Sequence, residues 1–292
     1  MRGRVTRVSS ERDRREATPP PPAPRVALST SAVYPETTSA AFEWAGRLGY
    51  DAVEIMVGTD ALSTDVDAVQ RLRDHHQIPV VSVHAPTLLL LPRVWGTDPW
   101  EKLERSARAA LQLGAPTVVV HPPFRWQGSY AKNFLAGITR LTETTGITFC
   151  LENMYPWRAP RGEFKAYLPD WDPTELEYDH LTLDLSHAST SKQNSLELAK
   201  EWGPRLKHVH LTDGTGSFMD EHLVPGRGDQ NADQLLHYLG ESGYGGDVIL
   251  EINTRGAKTR DDRERDLYEA LVFTRTHLAA TQRARTSGGG DA

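Results

Sequence analysis

Six short apolar runs in this chain each end on a residue type that binds metals: VVSVH at His84, TVVVH at His121, ITFCLE at Glu152, LTLD at Asp184, LKHVH at His210 and VILE at Glu251. An apolar β-strand has no local need for an ionisable group at its C-terminal end. Burying one there costs several kcal/mol unless it is paired or bound to an ion. Six such ends point to a fold in which strands finish together around one polar centre.

The spacing of the strands defines that fold. Strands are expected at 25–29, 51–56, 79–84, 117–121, 147–152, 181–184, 206–211 and 247–251, each apolar on both faces as strands covered on both sides should be. Helical patterns separate them. One is expected from Thr38 to Leu48 before Gly49. Another begins at Asp98-Pro99-Trp100-Glu101, a cap, a proline at the first helical position and a capping-box Glu, and stops at Gly114. A third runs from Ala232 to Glu241 before Gly243. Eight βα units within residues 25–280 predict an α/β chain folded as a single (β/α)8 TIM barrel, which takes about 250 residues. A doubly wound sheet would need fewer strands or a second domain, and no linker appears. All strand C-termini of a barrel share one face, so the six ligand-type ends would converge there.

The ends of the chain are read as disordered tails. Residues 1–24 hold six Arg, three acidic residues and TPPPPAP, and residues 281–292 are TQRARTSGGGDA. With net charge −6 the chain offers no general basic field for nucleic acid, and no apolar run is long enough to span a membrane. Cys150 is the only cysteine, so disulfides within the chain are excluded, and a cytoplasmic location is expected.

Glu152, Asp184, His210 and Glu251 supply three carboxylates and one imidazole from strands five to eight. An oxygen-rich set with one nitrogen suits Mn²⁺, Mg²⁺ or Co²⁺, with Zn²⁺ also possible. Two glutamates across such an ion could pass protons to opposite faces of a carbon, as epimerisation or ketose–aldose isomerisation requires. His187 lies one turn beyond Asp184, and a long loop after strand seven carries Asp220-Glu221-His222 and then PGRG, with Arg227 available for a substrate hydroxyl, carboxylate or phosphate. Trp95, Trp126, Tyr155 and Trp157 stand on the presumed upper loops, where their rings suit a sugar. Only Arg93, Arg125, Arg158, Arg161 and Lys165 add positive charge there. His208 shares a strand face with His210 one layer deeper and is expected to make a core hydrogen bond, and Glu54 could point into the site toward substrate.

The succession VHAP, VVHPP, LEN, DLSH, HVHLTD, DEHLVPGRGD and LEIN resembles the xylose isomerase-like TIM barrels over about residues 25–280. That group includes sugar and sugar-phosphate isomerases and epimerases together with endonuclease IV-type AP endonucleases. Similarity to the ketose 3-epimerases implies one divalent ion on Glu152, Asp184, His210 and Glu251. It also implies Glu152 and Glu251 as catalytic acid and base, and His187 and Arg227 as substrate contacts. His84, His121, His187 and His222 are each open to substrate or metal. Similarity to the endonuclease branch implies instead three zinc ions on His84, His121, Glu152, Asp184, His187, His210, Asp220, His222 and Glu251. The apolar run TLLLLPRVW after His84 and the acidic core weigh against extensive DNA contact. The expected function is therefore a divalent-metal-dependent isomerase or epimerase acting on a sugar, sugar phosphate or polyol, with no membrane partner and a possible homo-oligomer. The alternative is an AP endonuclease or phosphodiesterase with a trinuclear zinc site, for which nucleic acid would be the partner.

Overall fold

A computed structural model of the chain describes residues 24–87, 91–159 and 162–287. Eight parallel strands close into a barrel: β1 (Val26–Ser29), β2 (Ala52–Met56), β3 (Val80–His84), β4 (Thr117–Val120), β5 (Thr148–Glu152), β6 (Leu181–Asp184), β7 (Leu206–Leu211) and β8 (Asp247–Leu250). Each pairs with the next in sequence, and β8 closes onto β1. All eight expected strands are present, and helices lie between them. The strands are buried along nearly their whole length. Their outer faces pack on the helices around Val53, Val83, Val118, Phe149, Leu183 and Val209. A small interior cluster of Ala27, Ala52, Val81 and Ile249 fills the lumen with little side-chain volume.

The helix ends follow their sequence signals. Gly49, Gly114 and Gly243 all have positive φ and close helices Thr38–Leu48, Pro99–Leu113 and Ala232–Ser242, where a Cβ would be strained. Asp98 accepts a hydrogen bond from the backbone N–H of Glu101 at 2.9 Å. The expected reciprocal half of a capping box is absent, because Glu101 instead pairs with Arg105 one turn on.

Two features lie beyond the sequence reading. An antiparallel ribbon, Trp157–Ala159 with Gly162–Phe164, rises from the β5–β6 connection. The last helix runs from Arg260 to Ser287, past residue 280, where the C-terminal tail was expected to begin. Residues 1–23, 88–90, 160–161 and 288–292 lie outside the described set, and with them most of the N-terminal tail, Arg161 and the centre of the TLLLLPRVW run. No helix among the described residues is long and apolar enough to cross a membrane.

Candidate metal centre

The C-terminal ends of β5 to β8 bring their ionisable residues together. Ligand atoms of Glu152, Asp184, His210 and Glu251 all lie within 4.8 Å of one another. Register places Asp184 beside His210 on adjacent strands. His210 Nδ1 stands 3.1 Å from Glu152 Oε1, 2.9 Å from Glu251 Oε2 and 3.7 Å from Asp184 Oδ2. Three carboxylates thus face a single ring nitrogen.

Neighbouring groups hold each acid in its pose. Asp184 Oδ1 accepts the His187 N–H at 2.7 Å, capping helix Leu185–Ser191, while its fully buried Oδ2 has no hydrogen-bond partner. Asn153 clamps the same strand end. Its side-chain oxygen accepts the Asp184 N–H at 2.7 Å, and its amide nitrogen donates to the Asp184 carbonyl at 3.0 Å. Ser31 Oγ donates to Glu251 Oε1 at 3.3 Å, which leaves Oε2 toward His210. Asn153 and Ser31 were not singled out in the sequence. The Asn immediately after Glu152 was the one available signal.

The remaining histidines surround this centre. Glu152 Oε2 lies 3.2 Å from His84 Nε2 and 2.9 Å from His121 Nε2. His187 Nε2 lies 3.3 Å from Asp220 Oδ2, and His222 Nε2 lies 3.1 Å from Asp220 Oδ1. Ser186 Oγ fixes Asp220 at 2.6 Å and accepts the His222 N–H at 3.0 Å. Three of these rings share one arrangement. His84, His187 and His222 set Nδ1 against the carbonyls of Ala85 (3.1 Å), Asn153 (2.8 Å) and Glu251 (2.7 Å). A carbonyl only accepts, so each Nδ1 carries the proton. Each Nε2 then faces a carboxylate oxygen, and two lone pairs cannot face each other without a proton or a cation between them.

The electrostatics follow from this packing. Burial pushes Glu152 up, but His121 and His210 hold it well below the usual carboxylate range. Burial pushes Asp220 up as well, and His187 and His222 hold it well down. Burial pushes His222 down, but Asp220, with Asp184 behind it, holds it up at about 10. His210 is likewise raised against burial, by Glu54, Glu251 and Glu152. His121 is lowered by burial despite Glu152.

Two cavities open beside the centre. One, of about 600 Å³, reaches Glu251 and His222 and is walled by Ser31, Tyr34, Asn253 and Arg255. The other, of about 350 Å³, reaches His121, His187 and Asp220, with Phe124, Tyr155 and Trp157 as its aromatic wall. Tyr155 and Trp157 therefore line a cavity as expected of sugar-facing rings. Trp126 stacks on Phe124 at the surface, and Trp95 donates to the Thr64 carbonyl.

Arg227 is not brought into the site. Its guanidinium holds Glu269 at 2.9 and 2.6 Å and Asp266 at 2.7 Å, both on the last helix. Glu54 stands below the centre rather than in a cavity, with His208 Nε2 2.9 Å from its Oε2. His208 makes the core hydrogen bond expected of it. Lys165 pairs with Asp170.

A family model described as xylose isomerase-like TIM barrel matches residues 42–277. An uncharacterized protein of Mycobacterium tuberculosis is 47% identical over 276 residues, covering 88% of this chain and 99% of the relative. Among solved structures, a D-tagatose 3-epimerase-like protein superposes with TM-score 0.65 at 24% identity, covering 89% of this chain and 99% of its own. An AP endonuclease, family 2, from Brucella melitensis superposes with TM-score 0.62 at 19% identity, covering 84% and 96%. The two structures share the fold with this chain, and the two proteins are named for different chemistries.

Proposed function

The chain belongs to the xylose isomerase-like TIM-barrel family, and on that premise we propose that it is a divalent-metal-dependent isomerase or epimerase acting on a sugar-like small molecule. The carrying observation is the convergence of Glu152 Oε1 and Glu251 Oε2 on His210 Nδ1, at 3.1 and 2.9 Å, beside cavities of small-molecule size. The unpartnered, fully buried Asp184 Oδ2 facing the same nitrogen fits a cation there. Glu152, Asp184, His210 and Glu251 would hold that ion, a donor set suited to Mn²⁺, Mg²⁺, Co²⁺ or Zn²⁺. When bound, it supplies a Lewis acid for a substrate carbonyl or hydroxyl oxygen.

The side chains do the rest. One glutamate takes the proton from a carbon next to the substrate carbonyl, and the electron pair left behind moves onto the carbonyl oxygen. The other glutamate returns a proton to the opposite face, which inverts that carbon. Ser31 orients Glu251, and Asn153 orients Asp184. His121, His187 and His222 stand at the cavity walls, where they can meet substrate hydroxyls. Tyr155 and Trp157 offer faces for an apolar sugar surface and limit water.

The test is metal-dependent exchange of a substrate C–H with solvent deuterium across sugars, polyols and their phosphates. Glu152→Gln and Glu251→Gln should each lower exchange about 10²–10⁴-fold. No exchange with any compound, or full exchange in either variant, would overturn the reading.

A specific observation favours a second reading. The Nε2 atoms of His84, His187 and His222 face carboxylates while their Nδ1 atoms are held by carbonyls, as ligands of additional cations are. A trinuclear zinc phosphodiesterase acting on abasic DNA would use that set. About three zinc ions per chain with incision of an abasic duplex would establish it. One ion per chain with inert abasic DNA would remove it.

A further inference from the structure

Glu54 is fully buried near the middle of the barrel and lines neither of the two cavities, so it has no route to a substrate. A carboxylate at that depth costs several kcal/mol unless its oxygens are satisfied. Oε2 is satisfied twice, by Ser82 Oγ at 2.7 Å from the neighbouring strand and by His208 Nε2 at 2.9 Å from across the barrel. A carboxylate placed only to stabilise the core would need nothing more. The same Oε2 also takes His210 Nε2 at 3.3 Å, while Oε1, 3.2 Å from that nitrogen, has no hydrogen-bond partner.

We propose that Glu54 is a positioning residue that fixes which nitrogen of His210 is presented to the divalent ion. The proposal rests on the metal-dependent reading above. His210 has carboxylates at both ring nitrogens: Glu54 at Nε2, and Glu152, Asp184 and Glu251 around Nδ1. A neutral imidazole carries one proton and offers one lone pair. With Glu54 accepting from Nε2–H, the proton is kept on the far side of the ring and the Nδ1 lone pair faces the three carboxylates. Without that acceptor, Nδ1–H would donate to Glu152 or Glu251 and the lone pair would turn from the ion. Ser82 and His208 hold Glu54 by Oε2, so the carboxylate is fixed against His210 Nε2 before any ion arrives. Partners of this kind orient a histidine ligand and raise its basicity, and losing one weakens metal binding about 10–100-fold.

The experiment uses the full chain, stripped with chelator and titrated with Mn²⁺ by calorimetry. Glu54→Gln should bind Mn²⁺ about 10–100-fold more weakly than wild type, with an unchanged circular dichroism spectrum. Its Co²⁺ derivative should show a shifted visible band. A merely structural role would instead lower the melting temperature of the stripped protein and leave the Mn²⁺ affinity in place. Should Glu54→Gln not fold, Ser82→Ala frees the carboxylate to turn while keeping its charge, and at least a threefold weakening is expected. Equal affinity in the folded variant and wild type overturns the role of Glu54 alone. A wild-type chain that takes up no divalent ion overturns the proposed function and this assignment with it.

Discussion

Asp184→Asn should leave the metal-free fold standing and remove most of the stabilisation that a divalent ion confers. The two oxygens of Asp184 do different work. Oδ1 caps helix Leu185–Ser191 through the His187 N–H at 2.7 Å, and Oδ2 is buried without a partner. Asparagine keeps the capping oxygen, so the cost of about 0.5–2 kcal/mol that alanine would bring is avoided. It replaces the unpartnered oxygen with an amide NH2, whose nitrogen cannot ligate a cation. At an Mn²⁺ concentration of about 100 times the wild-type dissociation constant, binding to the native state alone adds about 2.7 kcal/mol. That raises the melting temperature by about 5–10 °C for a domain of this class. A variant binding about 100-fold more weakly keeps only about 0.4 kcal/mol at the same concentration. The assay is thermal unfolding by circular dichroism, stripped and Mn²⁺-loaded, for both proteins. A full Mn²⁺-dependent shift in Asp184→Asn would refute the assignment of Oδ2 as a ligand. No shift in wild type would refute the metal centre itself.

Three further outcomes follow from particular contacts. Arg227→Met should change substrate affinity less than twofold, because the guanidinium is held by Asp266 and Glu269, and the loss of this exposed pair should cost about 0–1 kcal/mol in a denaturant titration. Asp60 accepts the backbone N–H groups of Thr38 at 2.6 Å and Leu62 at 3.2 Å; burial raises its pKa, but bonds to Thr38 and Leu62 bring it below the ordinary value. Its contribution is present above the unfolded carboxylate's pKa and lost as pH falls through the lower folded value. Asp60→Ala should therefore cost about 1–2 kcal/mol at neutral pH, and the gap from wild type should close in acid. Gly228→Ala would set a Cβ 2.4 Å from both Asp213 Oδ1 and the Gly214 carbonyl. Asp213 anchors the loop through Gly226 N–H and Gln230 N–H, so this variant should weaken Mn²⁺ binding or turnover by displacing the His222 segment. Unchanged binding and turnover would show that the loop gives way without moving the site.

The barrel was legible because its strands are buried on both faces and so read as unbroken apolar runs, each punctuated by an ionisable end. Glu152, Asp184, His210 and Glu251 converge because equal strand ends in a closed parallel barrel share one face. What the sequence concealed depends on contacts between distant segments. Arg227 within PGRG looks available, and only the placement of Asp266 and Glu269, about 40 positions later in the chain, turns it away. Glu54 looked like a group that could reach substrate. Its partner His208 comes from the far side of the barrel and its partner Ser82 from a register set by the shift between Val53 and Glu54, neither of which a local pattern contains. The ribbon at Trp157–Phe164 consists of two three-residue strands, too short for periodicity to declare.

The same limit applies to the choice between one ion and three. All nine ligand-type residues, six from the strand ends, His187 from the turn after Asp184, and Asp220 and His222 from the DEH loop, are brought together, so residue identity alone does not separate the readings. What fills the gaps beside three of the rings does. His84, His187 and His222 each place Nδ1–H on a backbone carbonyl and Nε2 against a carboxylate, at 3.2, 3.3 and 3.1 Å. In a one-ion enzyme those gaps are bridged by protons, and the three rings are imidazolium ions paired with Glu152 and Asp220. In a three-ion enzyme they are bridged by cations, and loading must expel those protons. Calorimetric metal titration at neutral pH in buffers of different ionisation enthalpy counts the difference. A first ion that saturates the chain without displacing protons from these three rings supports the isomerase reading. Uptake of three ions, with about one proton released for each of these three rings, would overturn the one-ion centre and place a phosphodiester at the same site.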